Sequence, residues 1–234
     1  PECYERGGYE PLPVEHGGGG PDMAPAMIKA ATDLLNIEFE GLGGHAAKPQ
    51  ETIDTTLMAS HAVTALQSIV SRNADPIDRI VVSITPFETS SKAHNVIPQK
   101  VHIKGTVRTL SPETRDLAEK RMGEICAGVA ATYGGTIDLD YQRNYPVMVN
   151  SEEQTAFAAK VAESVSGKPT EEAPLVMGGE DFAFMLEARP GAYIVVGNGD
   201  TAMVHHPKYN FNDEAIPAGC SWWAEIVEKR MPAA

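Results

Sequence analysis

The sequence predicts an α/β protein in two parts: a ferredoxin-like βαββαβ domain over residues 36–149, then the C-terminal portion of a second α/β domain over 150–234. Three observations lead there. Apolar residues recur at spacings of two and then of three to four, in the order strand, helix, strand, strand, helix, strand, between residues 36 and 141. Beyond Asn150 the pattern changes to helices with one or two strands, too little sheet to bury both of its own faces. Composition is ordinary for a globular protein, with 42% hydrophobic and 22% charged residues among 234.

Residues 1–35 read as an irregular stretch. Prolines at 1, 11, 13 and 21 and the four glycines at 17–20 leave no period of 2 or 3.6. The tetraglycine lacks the Gly-Lys-Ser/Thr of a phosphate loop and reads as a linker. Ile37 and Phe39 alternate with Asn36, Glu38 and Glu40 in a half-buried strand. Over 53–72, Met58, Ala62, Leu66, Ile69 and Val70 form the apolar stripe of a helix. Residues 79–85 are β-branched and read as a strand. Over 101–109, Val101, Ile103 and Val107 face one way and His102, Lys104, Thr106 and Arg108 the other, so the second sheet face is expected to be polar and cationic. Ser111 as N-cap and Pro112 at the first helical position open a second helix. Ala118, Met122, Ile125 and Val129 make its buried stripe, and Gly134-Gly135 end it. Ile137, Leu139 and Tyr141 alternate in a last strand, 136–141. In the second part, helices are expected at 151–166, 180–188 and 217–231, with a strand at 192–196 and a short apolar piece at 175–177.

Charge and length exclude several functions. Lys and Arg total 19 against 32 for Asp and Glu, a formal net charge of −13, which repels nucleic acid overall. No apolar run has the length needed to cross a bilayer. No basic-then-apolar leader is present, so no export signal is expected. Cys3, Cys126 and Cys220 are odd in number and far apart, which reads as reduced thiols in a cytoplasmic protein.

Four segments carry possible chemistry. Gly43-Gly44-His45-Ala46-Ala47-Lys48-Pro49 presents His45 on a loop, with glycines that let the backbone turn and approach a ligand. His94-Asn95-Val96-Ile97-Pro98 precedes a strand. Gly105-Thr106-Val107-Arg108-Thr109 places Arg108, a planar fork suited to a carboxylate, on the polar sheet face. Gly178-Gly179-Glu180-Asp181-Phe182 is followed by Val204-His205-His206-Pro207 and by Phe211-Asn212-Asp213. Taken singly, each has an ordinary reading: a turn, a surface charge, a helix cap, an exposed histidine pair.

Their joint order changes the weighing. From about residue 24 onward, the series resembles the metal-dependent amidohydrolases typified by hippurate hydrolase, N-acyl-amino-acid amidohydrolases and indole-acetyl-amino-acid hydrolases. The resemblance implies an α/β catalytic domain with a two-metal site, and an inserted ferredoxin-like lid that forms a homodimer. Residues 36–149 would be that lid, and 150–234 the returning part of a metallohydrolase catalytic domain. It also implies a small N-acyl amino acid as substrate and divalent ions as cofactors (zinc, manganese, cobalt or nickel). By the same resemblance His205 is a metal ligand, while His206 stands where relatives often have Asn. His45 matches the lid histidine that reaches the scissile carbonyl, often across the dimer. Asn95 and Arg108 match residues that hold the substrate carboxylate, and Glu180 and Asp181 lie in a loop lining the active site.

The chain also departs from that pattern. The family's N-terminal Cys-Gly-His-Asp segment and Glu-Glu pair are not found ahead of residue 36. Counting back from Leu12-Pro13-Val14 places a further ligand histidine at Gly7. The expectation is an incomplete copy of an amidohydrolase. The rival is a non-catalytic dimerisation or ligand-binding module of the same descent.

Overall fold

The computed structural model describes residues 23–25, 28–168, 170, 176–202 and 204–231. Cys3, Gly7, the tetraglycine and Leu175 lie outside the described residues. The main elements, in chain order, are β1 (Ala31–Glu40), α1 (Thr55–Ser68), β2 (Ile80–Thr89), β3 (Lys100–Thr109), α2 (Pro112–Tyr133), β4 (Thr136–Tyr145), α3 (Glu152–Ser166), α4 (Phe182–Ala188), β5 (Ile194–Val196) and α5 (Ala215–Arg230). They fall into two compact units. One is Ile28–Met148 with Val176–Phe184; the other comprises Val149–Leu175 and Met185–Ala234 together with the first 27 residues. The division therefore differs from the one expected at 149/150: residues 176–184 join the sheet-bearing unit.

In the first unit, four antiparallel strands form one sheet in the order β2-β3-β1-β4. Helices α1 and α2 cover one face. Leu35, Ile37 and Phe39 of β1 and Val101, Ile103 and Val107 of β3 bury against Met58, Ala62 and Leu66 of α1 and Ala118, Met122, Cys126 and Ala130 of α2. The four α2 residues follow one another at intervals of four, so the stripe runs through Cys126 and Ala130, with the expected Ile125 and Val129 on its flank. Asp54 caps α1 by accepting from the Thr56 and Leu57 amides, and the helix ends in a π turn at Ile69–Asn73. Ser111 caps α2, and Gly134 closes it at φ 79°, a left-handed conformation that favours glycine.

Strand β1 begins at Ala31, five residues earlier than its alternation shows, because Asp33 takes a core position and breaks the pattern. The core tolerates it because Asp33 is fully partnered. The Arg115 Nε donates to both carboxylate oxygens at 3.0 Å, the Arg115 Nη2 donates to Oδ1, and the Tyr141 hydroxyl donates to Oδ2 at 2.8 Å. Buried charges persist when paired in this way. Gly105 is required by close approach, since β2 bulges between Ile84 and Phe87 and a β-carbon at 105 would overlap the Ser83 carbonyl.

In the second unit, α3 packs on α5 through Ala158, Val161, Ala162 and Trp222, and the Trp222 indole donates to the Ala158 carbonyl at 3.2 Å. Buried Asn150 mimics a strand partner, bonding the Tyr193 amide at 2.8 Å and its carbonyl at 2.9 Å. Helix α5 starts at Ala215, so Pro217 lies in its first turn, where no helical amide is needed. Strand β5 pairs antiparallel with Met23–Pro25.

Candidate active site

The expected residues of the first unit gather in two clusters, at opposite ends of the sheet. The first cluster lies at the start of β1. Arg108 pairs directly with Thr32, and directly paired residues share a face, here the one opposite α1 and α2. Residues 176–184 reach the same end. Val176 bridges Lys29 in parallel, and the Glu180 carboxylate lies 3.2 Å from the Lys29 ammonium. Gly179 sits so close that a β-carbon there would overlap the Thr32 hydroxyl. Tyr145 and Phe184 stack edge to face with centroids 6.2 Å apart. Asp181 is exposed, and its carbonyl accepts from the Phe184 amide at 3.1 Å, so the residue opens α4.

Three buried polar atoms at this end lack partners among the described residues: Thr109 Oγ1 on the helix-covered face, and Thr32 Oγ1 and Arg108 Nη1 on the open one. Thr32 is buried, and neither its Oγ1 nor the buried Nη1 of Arg108 has a hydrogen-bond partner among the described residues. Burial pushes the Arg108 pKa down, opposed by the charge of Asp33. A buried polar group left unpaired costs about 1–3 kcal/mol. An anion accepting from both would relieve two such costs together.

The second cluster lies past the other end of β1. Gly44–His45 pairs antiparallel with Val96–Ile97, and the Ala46 amide donates to the Asn95 carbonyl at 3.0 Å. The structure thus joins the loops of His45 and Asn95, both exposed. The His45 Nδ1 accepts from the Ala47 amide at 3.0 Å. The neutral ring must then carry its hydrogen on Nε2, leaving that nitrogen as a donor.

Eight residues of β3 separate the row pairing Arg108 with Thr32 from the row pairing Lys100 with Glu40. At about 3.3 Å per residue this is roughly 26 Å, and the pair of His45 with Val96 lies past it in the pairing. Within one chain, Asn95 and Arg108 therefore do not meet at one carboxylate, contrary to the sequence expectation.

The open sheet face is also not the cationic surface expected. Glu38 takes the Lys100 ammonium at 2.6 Å and the His102 Nε2 at 3.1 Å, and Glu40 lies 3.5 Å from Lys100. The Lys100 bond holds the Glu38 carboxyl below its ordinary range and raises Lys100 in turn. Asn36, Glu38, His102, Lys104, Asp138 and Asp140 line a shallow groove of about 210 Å³ there.

His205 belongs to the other unit. It is exposed in a turn and holds φ at 70°, in the left-handed region. Such a conformation in a non-glycine residue often accompanies a functional constraint. The neighbouring His206 Nδ1 accepts from the Lys208 amide at 3.0 Å. Asn198 ties this loop by accepting from the Asn212 amide and donating to the Asn210 carbonyl, both at 2.8 Å. Among the described residues no three His, Cys, Asp or Glu side chains group to hold a metal ion. The described residues therefore do not build a metal centre around His205.

Sequence reading missed Lys29, Thr32 and Asn198. No motif marks them: Lys29 meets Glu180 across 151 positions, and Thr32 matters only through what it lacks.

Hippurate hydrolase of Campylobacter jejuni is 37% identical over 212 residues, covering 89% of this chain and 55% of that protein. N-acetylcysteine deacetylase of Bacillus subtilis is 34% identical over 202 residues, covering 86% and 52%. Among solved structures, the B. subtilis YXEP protein, described as a dinuclear metal binding peptidase of the M20 family, matches with a TM-score of 0.69 at 27% identity, over 92% of this chain and 54% of that one. The chain spans about half the length of these relatives. The profile of peptidase family M20/M25/M40 matches residues 13–229, and by that span the chain belongs to this family.

Proposed function

We propose that this chain serves the hydrolysis of the amide bond in N-acyl amino acids, as the substrate-recognising portion of a metal-dependent amidohydrolase. The observation that carries this reading is the pair of unpartnered buried atoms, Arg108 Nη1 and Thr32 Oγ1. A guanidinium fork beside a hydroxyl matches the carboxylate of an amino acid. Hippurate and N-acetylcysteine, named by the two relatives, are both N-acylated amino acids. The His45 Nε2–H is the donor for the scissile carbonyl, where it would stabilise the oxyanion, and Asn95 adds a neutral donor from the adjoining loop. Glu180 fixes Lys29 beside the carboxylate site, and Asp181 opens the helix behind it.

Because His45 and Asn95 lie so far from Arg108, one chain cannot bring both clusters to one small substrate. A homodimer through the sheet-bearing unit, read as a ferredoxin-like lid, would supply the second cluster from the partner. The strand order β2-β3-β1-β4 supports that reading and leaves β2 and β4 as edges open to pairing. His205 is the candidate metal ligand, and further ligands must come from outside the described residues. Reduced thiols, and with them a cytoplasmic location, belong to the same proposal: Cys126 is buried, which pushes its thiol up to about 12.

The test compares the chain alone with a fusion to the upstream half of the Campylobacter enzyme, each with added zinc, manganese, cobalt or nickel. The chain alone should give background cleavage of hippurate, and the fusion metal-dependent cleavage that spares the neutral hippuramide. Equal cleavage of both compounds would overturn the carboxylate site. A second reading, a non-catalytic binding or dimerisation module, is favoured by the lack of a three-ligand group among the described residues. It would be upheld by a fusion that binds hippurate and never turns it over.

A further inference from the structure

The pairing of β1 with β3 ends at Glu40 and Lys100, and pairing resumes at Gly44 with Ile97 and His45 with Val96. Four steps on one side face three on the other, so one extra residue is accommodated between them. Leu42 turns away to pair with Ile53, its amide donating at 3.2 Å and its carbonyl accepting at 3.0 Å. The gap is filled by a side chain. The Gln99 carboxamide donates from Nε2 to the Gly41 carbonyl at 2.6 Å and accepts at Oε1 from the Gly43 amide at 3.0 Å. The Gly41 amide meanwhile donates to the Gln99 backbone carbonyl at 3.0 Å. A primary amide has the same donor and acceptor as a peptide unit, so Gln99 stands in for the missing rung. Gly43 must be glycine for this, since a β-carbon there would press on the Gln99 amide and the Ile97 carbonyl.

The geometry points to Gln99 as a positioning residue for His45. A one-residue slip in strand pairing turns a side chain to the opposite face, and bulges next to active sites re-aim side chains. By fixing the offset, Gln99 sets which face His45 presents and keeps the Ala46 amide on Asn95, the contact that joins the two loops. The inference rests on the proposed role of His45 only for its effect on turnover; the positioning itself is independent of activity.

The experiment uses nitrogen-15 NMR of the 234-residue chain with Gln99→Met, which keeps length and removes both bonds together with the 3.4 Å one to the Glu40 carboxylate, and Gln99→Asn, which is one methylene too short. Thr55→Val is the control: it removes the buried bond from the Thr55 hydroxyl to the Pro98 carbonyl, 2.7 Å long, beside the same loop. Both Gln99 variants should lose roughly fivefold or more of the exchange protection of the Gly43 amide, as expected for one hydrogen bond. They should also shift the His45 ring nitrogens from the Nε2–H tautomer toward a mixture. Thr55→Val should lower the melting temperature and leave the His45 signals in place. Unchanged His45 signals in both Gln99 variants would overturn the inference, whatever the turnover. In the hippurate-cleaving fusion, Gln99→Met should lower kcat with KM held. An unchanged kcat, with the NMR shift present, would instead count against the catalytic role of His45.

Discussion

Arg115 and Arg108 lie at the same end of one sheet, on its two faces, in opposite electrostatic situations. Arg115 reaches from α2 into the helix-covered core, where the Asp33 carboxylate takes bonds from it and from Tyr141. Burial first, and then the bond to Asp33, push the Tyr141 hydroxyl well above its ordinary pKa, so it stays a donor at all working pH values. No buried side-chain polar atom of that trio lacks a partner among the described residues. One residue along β1 and on the other face, Thr32 and Arg108 hold buried atoms with no partner among the described residues. A buried arginine whose bonds are made holds the fold. A half-buried one with a buried nitrogen left unbonded is a poor structural element and a good receptor for an anion.

The widest test of this contrast is stability. Arg115→Met leaves a buried carboxylate with one partner fewer, and such a loss costs about 3–5 kcal/mol. Arg108→Met gives up no described partner and should stay within about 1 kcal/mol of the parent. Urea unfolding of the two variants measures both. An equal loss at position 108 would make Arg108 a structural arginine like its counterpart.

Next in size is recognition. Arg108→Lys keeps the charge and removes the fork. Hydrogen bonds to charged groups are worth about 1.5–3 kcal/mol, so KM for hippurate in the fusion should rise roughly 10- to 100-fold, with hippuramide little affected. If both substrates respond alike, the carboxylate site lies elsewhere.

Thr32→Val sharpens the same point with a smaller effect. Removing an unpaired hydroxyl should leave the free chain as stable as before or up to about 1 kcal/mol more stable. Hippurate KM should nonetheless rise about tenfold, the lower end of the worth of one hydrogen bond to a charged group. A destabilised free chain would show that the hydroxyl is bonded in solution.

The smallest effect belongs to the exposed ion pairs of the open face. The Glu38 pKa is depressed in the folded chain, so its contribution is present above the unfolded carboxylate value near about 4.3 and is lost as pH falls through the folded one. Lys100 runs the other way, its contribution lost only as pH rises through its raised value. Glu38→Gln should flatten the acid side of the stability profile slightly, and salt should erase the difference. A large salt-resistant loss would place Glu38 among the groups that hold the fold, alongside Asp33.

How much of this was legible beforehand follows from what each residue answers to. The alternation of Ile37 with Phe39, the cap at Ser111 and the stop at Gly134 are local, and the structure has them where the sequence places them. The start of β1 was hidden because Asp33 occupies a core position that only Arg115 and Tyr141, 82 and 108 residues away, make tolerable. The joining of His45 to Asn95, and the Gln99 side chain that bonds Gly41 and Gly43 beside it, had no local signal in the sequence.

The sequence by itself determined the element order and the residue types able to do chemistry, because propensity, capping and periodicity act within a few residues. Only the tertiary structure decided that Glu180 belongs with Lys29 and Arg108 with Thr32, and that His45 and Asn95 stand at the far end of the sheet. Strand register between segments dozens of residues apart sets those distances. A one-residue offset there, invisible in any local pattern, changes which face a side chain occupies.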